Sequence, residues 1–248
     1  MTPTLLITGA SRGIGAATAL LAAQRRYAVA VNYSANSLAA DEVVRQIRAS
    51  GGTAMAVQAD VADEAQLLAM FAHIDARLGP LTALVNNAGV VDMAARVDEM
   101  SVARLKRMFD INVLGSFVCA REAIRRMSTR HGGAGGSIVN LSSAAARLGG
   151  PGQYVDYAAS KGAIDTFTLG LAREVAAEGI RVNAVRPGII ETDIHASGGQ
   201  PDRARQLAPL VPMQRAGSAM EVAQVIVWLL SSEASYTTGA LIDVAGGR

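Results

Sequence analysis

Leu5-Leu6-Ile7-Thr8-Gly9-Ala10-Ser11-Arg12-Gly13-Ile14-Gly15 decides how the rest of this chain is read. Three apolar residues form a short strand of the buried type. A glycine-rich turn follows, then an alanine-rich helix from about Ile14 to Arg25. Glycine lets backbone amides come close to a pyrophosphate, and the start of a helix favours its negative charge. Gly9, Ser11, Arg12, Gly13, Ile14 and Gly15 are therefore candidate cofactor-binding residues. A glycine-rich turn is a weak signal by itself, but the strand before it and the helix after it raise a dinucleotide site well above an ordinary turn. The glycine spacing is wider than G-x-G-x-x-G.

The same alternation continues through the chain. Strands are expected at Ala28 to Tyr33, Thr53 to Gln58, Leu81 to Asn86, Gly136 to Leu141, Ile180 to Val185 and Leu241 to Val244. Helices are expected near Leu38 to Ala49, Glu64 to Leu78, Val102 to Met127, Val155 to Ala177 and Met220 to Leu230. Pro187 to Gly217 reads as an irregular segment. Apolar strands alternating with helices predict an α/β fold: a doubly wound, parallel sheet of about seven strands with helices on both faces. No compositional break divides the 248 residues, so one domain spanning 1–248 is the expectation. Ligands in such folds gather beyond the carboxyl ends of the strands.

Bulk properties exclude several classes. Half of the residues are hydrophobic and 18% are charged, which argues against disorder. The net charge of +2 is nearly balanced. The densest basic stretch, Arg121, Arg125, Arg126 and Arg130, falls near a helix end, where cations complement the helix dipole. Nucleic acid is not an expected partner. Cys119 is the single cysteine and reads as a small core residue. His73, His131 and His195 are far apart in sequence and form no ligand motif, so no metal is expected. Gly9 and Gly13 interrupt the first apolar run too early for a signal peptide or membrane span. A soluble, reducing, cytoplasmic setting fits these features.

The end of the second strand bears on cofactor choice. An acidic residue there would bind the adenosine ribose 2′-hydroxyl and repel a 2′-phosphate. The chain has Asn32-Tyr33-Ser34, with no carboxylate until Asp41. Arg12 in the glycine turn can reach a 2′-phosphate with a charge-assisted contact. NADP(H) is therefore expected over NAD(H). Asp60-Val61 follows the third strand, where Asp60 either accepts from the adenine amino group or caps the next helix. Asn86-Asn87-Ala88-Gly89 follows the fourth, either at the cofactor or as a structural turn.

Tyr157-Ala158-Ala159-Ser160-Lys161 places a phenol and an ammonium four residues apart, on one face of the expected helix. Such a pair is commonplace on helix surfaces. It becomes informative because a nearby cation moves a tyrosine toward acid–base work.

Taken together, these motifs resemble the short-chain dehydrogenase/reductase family over essentially the whole chain. The matching residues are Thr8 to Gly15, Asn86 to Gly89, Asn112, Ser142-Ser143, Tyr157 with Lys161, and Pro187-Gly188 with Thr192. Within the family, the chain looks most like bacterial sugar dehydrogenases and 3-oxoacyl-carrier-protein reductases. The resemblance implies a Rossmann fold and hydride transfer between a nicotinamide and a carbonyl or secondary alcohol. It implies Tyr157 as general acid/base and Lys161 on the nicotinamide ribose, lowering the tyrosine pKa. Ser143 would donate to the substrate oxygen, and Asn112 would hold a water in a relay to Lys161. Asn87, Ala88, Gly89, Pro187, Gly188, Ile190 and Thr192 would bind the cofactor.

Tyr157 lies fourteen positions after Ser143, one more than the family's usual spacing. This reads as an insertion between Gly149 and Asp156, with Ser142 as the fallback hydroxyl. Residues from about 189 to 217 look like a substrate lid, though a surface loop has the same composition. Met93, Tyr154, His195 and Met213 are candidate substrate contacts. The family association is a homotetramer, pairing the two long helices at one interface and the last strand and helix at another. Two alternatives stand beside the reductase reading. One is a sugar or polyol dehydrogenase with relaxed cofactor choice; the other is an idle, NADP-sensing scaffold on the same fold.

Overall fold

The computed structural model describes residues 2–248, apart from the side chain of His195. Seven parallel strands form one sheet: β1 (Thr4–Ile7), β2 (Ala28–Tyr33), β3 (Ala54–Gln58), β4 (Leu81–Asn86), β5 (Gly136–Leu141), β6 (Ile180–Pro187) and β7 (Leu241–Val244). Their order across the sheet is β3-β2-β1-β4-β5-β6-β7. The chain leaves β1 in one direction to build β2 and β3, then returns to place β4 on the other side of β1. That reversal opens a crevice at the carboxyl edge between β1 and β4, the place where such sheets take ligands.

Both faces of the sheet are apolar because alternate residues point to opposite sides. Leu5, Ile7, Val29, Val31, Val85 and Val139 join one core. It is covered by helices α1 (Gly13–Gln24) and α2 (Ser37–Ala49) and by the last long helix, Ala219–Leu230. Leu6, Ala30, Leu84, Ile138 and Val182 join the other core. Helix α3 (Glu64–Leu78) and the segments Gly115–Met127 and Val155–Val175 cover that side. Local signals set the starts of several helices. Asn36 caps α2 and Asp63 caps α3, each accepting from an amide three residues on.

One expected element differs. The long helix from Val102 to Met127 is two helices, α4 (Val102–Phe109) and α5 (Gly115–Met127), joined by a π turn over Asp110–Leu114. The turn carries Asn112, whose side chain is drawn into bonds with Val90 and Ser160. The irregular segment after β6 also contains short helices. They are preceded by α6 (Ala145–Leu148) and α7 (Val155–Val175), and comprise α8 (Ile194–Ser197) and α9 (Arg203–Leu207), before the closing α10 (Ala219–Leu230). No helix of the described residues is long and apolar enough to cross a membrane.

Candidate active site

A cleft of about 570 Å³ lies over the β1/β4 crevice. It falls within the size range of small-molecule sites. Gly9, Ser11, Arg12, Gly13 and Ile14 line one end, with Tyr33, Ser34, Asp60 and Val61 beside them. Asn87, Ala88 and Gly89 form the floor, and Ser143, Tyr154, Tyr157, Lys161, Pro187, Gly188, Ile190 and Thr192 surround the other end.

The glycine turn is held by two asparagines. Asn32 is buried; its Oδ1 accepts from Gly9 N at 3.1 Å, and its Nδ2 donates to Val57 O and Ala59 O at 3.3 and 3.1 Å. Its amide is thus committed to joining three strand ends, and its backbone carbonyl accepts from Ala10 N at 2.7 Å, so the whole residue braces the turn. Asn87 Nδ2 donates to Thr8 O and Gly9 O at 2.8 and 2.9 Å. Thr8 Oγ1 in turn accepts from the amides of Asn87 and Ala88, each at 3.0 Å. The β4 loop is therefore a structural lock as well as a cleft floor. Gly9 has φ +62, and a Cβ there would lie 2.9 Å from Ala88 Cα, so only glycine fits.

Gly15 stands apart from the other glycines of the turn. It does not line the cleft; a Cβ there would sit 2.6 Å from both Asn87 Nδ2 and Gly9 O. Its part is to let α1 approach the turn. Arg12 stands at the helix start without a side-chain cap, and the first turn of α1 has no acidic residue. The amide end of this helix is therefore electropositive and faces the cleft. Asp60 Oδ1 accepts from Ala62 N at 2.9 Å, while the cap of α3 is Asp63. Asp60 is thereby exposed at the cleft edge rather than absorbed into the helix.

At the other end, Tyr157 and Lys161 sit one turn apart on α7, with Lys161 Nζ 5.7 Å from the Tyr157 ring centre. Lys161 Nζ donates to Leu141 O at 2.6 Å. Burial brings its pKa down to about 8, opposed by the charge of Asp165. Burial likewise raises Tyr157 above its usual value, opposed by a hydrogen bond from Ser143. Lys161 does not figure among the groups that shift this phenol. The ammonium is held by a carbonyl, and desolvation dominates at the phenol. Ser142 Oγ donates to Lys161 O at 3.2 Å, which leaves Ser143 as the hydroxyl at Tyr157.

Asn112 is 1% exposed and lies behind the cleft wall. Its Oδ1 accepts from Val90 N at 2.8 Å, and its Nδ2 donates to Val90 O and Ser160 Oγ. Gly89 lies between it and Lys161, since a Cβ at Gly89 would stand 3.4 Å from Asn112 Oδ1 and 3.6 Å from Lys161 Nζ. Thr192 faces Gly13 across the cleft entrance. Met93 and Met213 do not line this cleft, and Met213 lines a neighbouring cavity near the chain end. The His195 side chain lies outside the described residues. Tyr154 does line the cleft, and the Arg203 guanidinium lies 5.1 Å above its ring. Sequence reasoning missed Arg203, because nothing in its surroundings marks it before α9 is folded over Tyr154. Among the described residues no group of three or more His, Cys, Asp or Glu could hold a metal ion.

A crevice at a parallel-sheet switch point, a glycine-walled helix start and a cleft-lining Ser143–Tyr157–Lys161 set, with the lysine buried beneath a half-buried serine and tyrosine, describe a nucleotide-dependent oxidoreductase. Comparison with known proteins identifies the class. A family model described as enoyl-(acyl carrier protein) reductase matches residues 9–248. The chain is 58% identical over 243 residues to the uncharacterized oxidoreductase YgfF of Escherichia coli (strain K12), covering 98% of each. It is 38% identical to the 3-oxoacyl-[acyl-carrier-protein] reductase FabG of Staphylococcus aureus (strain N315), covering 100% of this chain and 98% of that one. Glucose 1-dehydrogenase 2 of Bacillus subtilis (strain 168) is 36% identical, covering 98% of this chain and 93% of the relative. A solved mutant of a Serratia marcescens short-chain dehydrogenase/reductase superposes with TM-score 0.91 at 35% identity, covering 99% of this chain and 97% of that one. The chain belongs to the short-chain dehydrogenase/reductase family. It is an NAD(P)-dependent oxidoreductase acting on CH–OH groups.

Proposed function

We propose that this protein is an NADPH-preferring carbonyl reductase in which Tyr157 is the proton donor. The observation that carries the reading is the half-buried Tyr157 facing the cleft, with Ser143 at its hydroxyl and Lys161 one turn away. The cleft suits a dinucleotide: its amide-rich end accepts an anion, and its floor would be blocked by any side chain at Gly9. When bound, the nicotinamide supplies or accepts the hydride. Ser143 donates to the substrate oxygen and fixes it beside the phenol. Tyr157 gives its proton to that oxygen as negative charge develops there. A tyrosine raised by burial is in its proton-donating form at neutral pH, which favours reduction; the reverse reaction requires the phenolate and gains with rising pH. Lys161 holds the ribose end, and Asn112 continues a proton path through a water toward Lys161.

The NADPH preference rests on Arg12 and on the absence of a carboxylate at Tyr33-Ser34. Residues 189–217, which include α8 and α9, act as the substrate lid of a single 1–248 domain. Exposed Phe117 stacks on Phe167 at 3.7 Å, beside exposed Phe109, Leu114 and Leu169. This apolar strip on α4, α5 and α7 supports a homotetramer. A panel of ketones, β-keto esters, sugars and polyols followed by NADPH absorbance tests the substrate class. On the best substrate, Tyr157→Phe lowers kcat about a hundredfold or more while NADPH affinity stays within roughly twofold. Unchanged turnover would refute the assignment.

A further inference from the structure

Asp156 precedes Tyr157 at the start of α7 and is bound by Arg104 of α4. Arg104 Nε donates to Asp156 Oδ2 at 2.7 Å, and Nη2 donates to Oδ1 at 3.2 Å. The carboxylate side chain is 0% exposed and the guanidinium side chain 11%. Asp156 Oδ1 also accepts from the backbone amide of Tyr157 at 2.9 Å. The third arm of the fork, Arg104 Nη1, donates to Met93 O at 2.6 Å.

One carboxylate thus clamps the first turn of α7, and one guanidinium ties that turn to α4 and to the segment continuing from Val90 and Val91 on the cleft wall. Ala95 N donates to Gln153 O at 3.0 Å, a second tie between the same two segments. A buried Arg–carboxylate pair is a poor way to gain stability alone, because an apolar pair of similar volume does as well or better. What this pair offers is direction. A forked guanidinium fixes angles that apolar contacts leave loose.

We infer that Arg104 and Asp156 are positioning residues that set the Tyr157 phenol against Ser143 and hold residues 90–95 as the facing wall. This inference rests on the proton-donor reading of Tyr157. A displacement of about 1 Å at a reacting group costs on the order of a hundredfold in rate, so a clamp one residue from the phenol matters to turnover. The side-chain hydrogen bonds of the pair go to each other, to Met93 O and from Tyr157 N, none of them at the glycine turn, so NADPH affinity is expected to change little.

The test uses Asp156→Asn and Arg104→Lys, each alone and combined with Tyr157→Phe, with NADPH and the β-keto ester turned over fastest in the panel. Asp156→Asn keeps an acceptor for Tyr157 N but loses the charge. Arg104→Lys keeps the charge but cannot span both Asp156 and Met93 O. Asp92 also acts on Arg104, so neither variant strips the guanidinium site of all countercharge. Each single variant is expected to lower kcat roughly ten- to a hundredfold, with the Kd for NADPH within about twofold. On the Tyr157→Phe background the further loss should vanish, because a positioning effect has no phenolic proton left to position. Equal losses in both backgrounds, a parallel loss of NADPH binding, or full kcat in the single variants would each overturn the inference. Normal turnover by Tyr157→Phe alone would instead defeat the proton-donor reading and take this inference with it.

Discussion

Replacing Lys161 by Met should change how stability depends on pH, in a direction the buried site dictates. Desolvation brings the Lys161 pKa from 10.5 to about 8 in the folded protein. Between those values the unfolded chain keeps a proton that the folded chain has released. The unfolded state then binds more protons, so stability rises with pH across this window. Below it the ammonium is charged in both states and the full cost of its burial is present. From about pH 7 to about pH 9.5, the two-pKa linkage gives a gain of about 2 kcal/mol. Tyr157 adds the opposite trend, but its raised pKa places that loss above 10, outside the window. For a chain of this size 2 kcal/mol corresponds to about 4 °C in Tm. Methionine cannot titrate, so other ionisations cancel in the difference between wild type and Lys161→Met. Scanning fluorimetry of the cofactor-free protein should show that difference (wild type minus variant) rising by about 4 °C over the window. A flat or falling difference would show that the ammonium is hydrated and that the buried geometry argued for it is wrong.

Two further predictions concern the cofactor end. Arg12→Ala should lower kcat/KM with NADPH about tenfold and leave NADH nearly unaffected, the low end for a charge-assisted contact because Arg12 is exposed; an unchanged NADPH/NADH ratio would remove Arg12 from the selectivity argument. Gly15→Ala should cost about 2–4 kcal/mol of stability and weaken NADPH binding, since its methyl would displace the Asn87 amide from Thr8 O and Gly9 O. Thermal melts and a fluorescence titration check both effects, and an unaltered Tm would contradict the close packing of α1 on the turn.

The sheet was legible because its signals are local. Apolar runs such as Leu5 to Ile7 and Leu81 to Asn86, each followed by turn residues, name a strand wherever it ends up. The π turn was not legible. Weak helix formers such as Asp110, Asn112 and Gly115 lower the helix propensity there without specifying a π turn, and the extra residue at Asp110–Leu114 is held by contacts that Asn112 makes with Val90 and Ser160 after folding. The Tyr157–Lys161 spacing could be read directly, while the direction of the tyrosine shift depends on burial, which spacing does not report. Asn32 and Gly15 illustrate a related limit. A residue beside a glycine turn can be read as touching the ligand or as shaping the turn, and only the hydrogen bonds of Asn32 and the crowding at Gly15 separate the two.

The π turn has one more consequence. Each residue added to an α-helix rotates everything beyond it by about 100°. The single extra residue at Asp110–Leu114 therefore acts as a phase shifter between α4 and α5. Upstream of it, the helix turns Arg104 toward Asp156; downstream, it turns Cys119, Ala123 and Met127 into the core. Without that residue, every side chain beyond the turn would point about 100° away from the direction it takes here. In this fold, a change of one residue in length is a means of steering a side chain that lies two turns away.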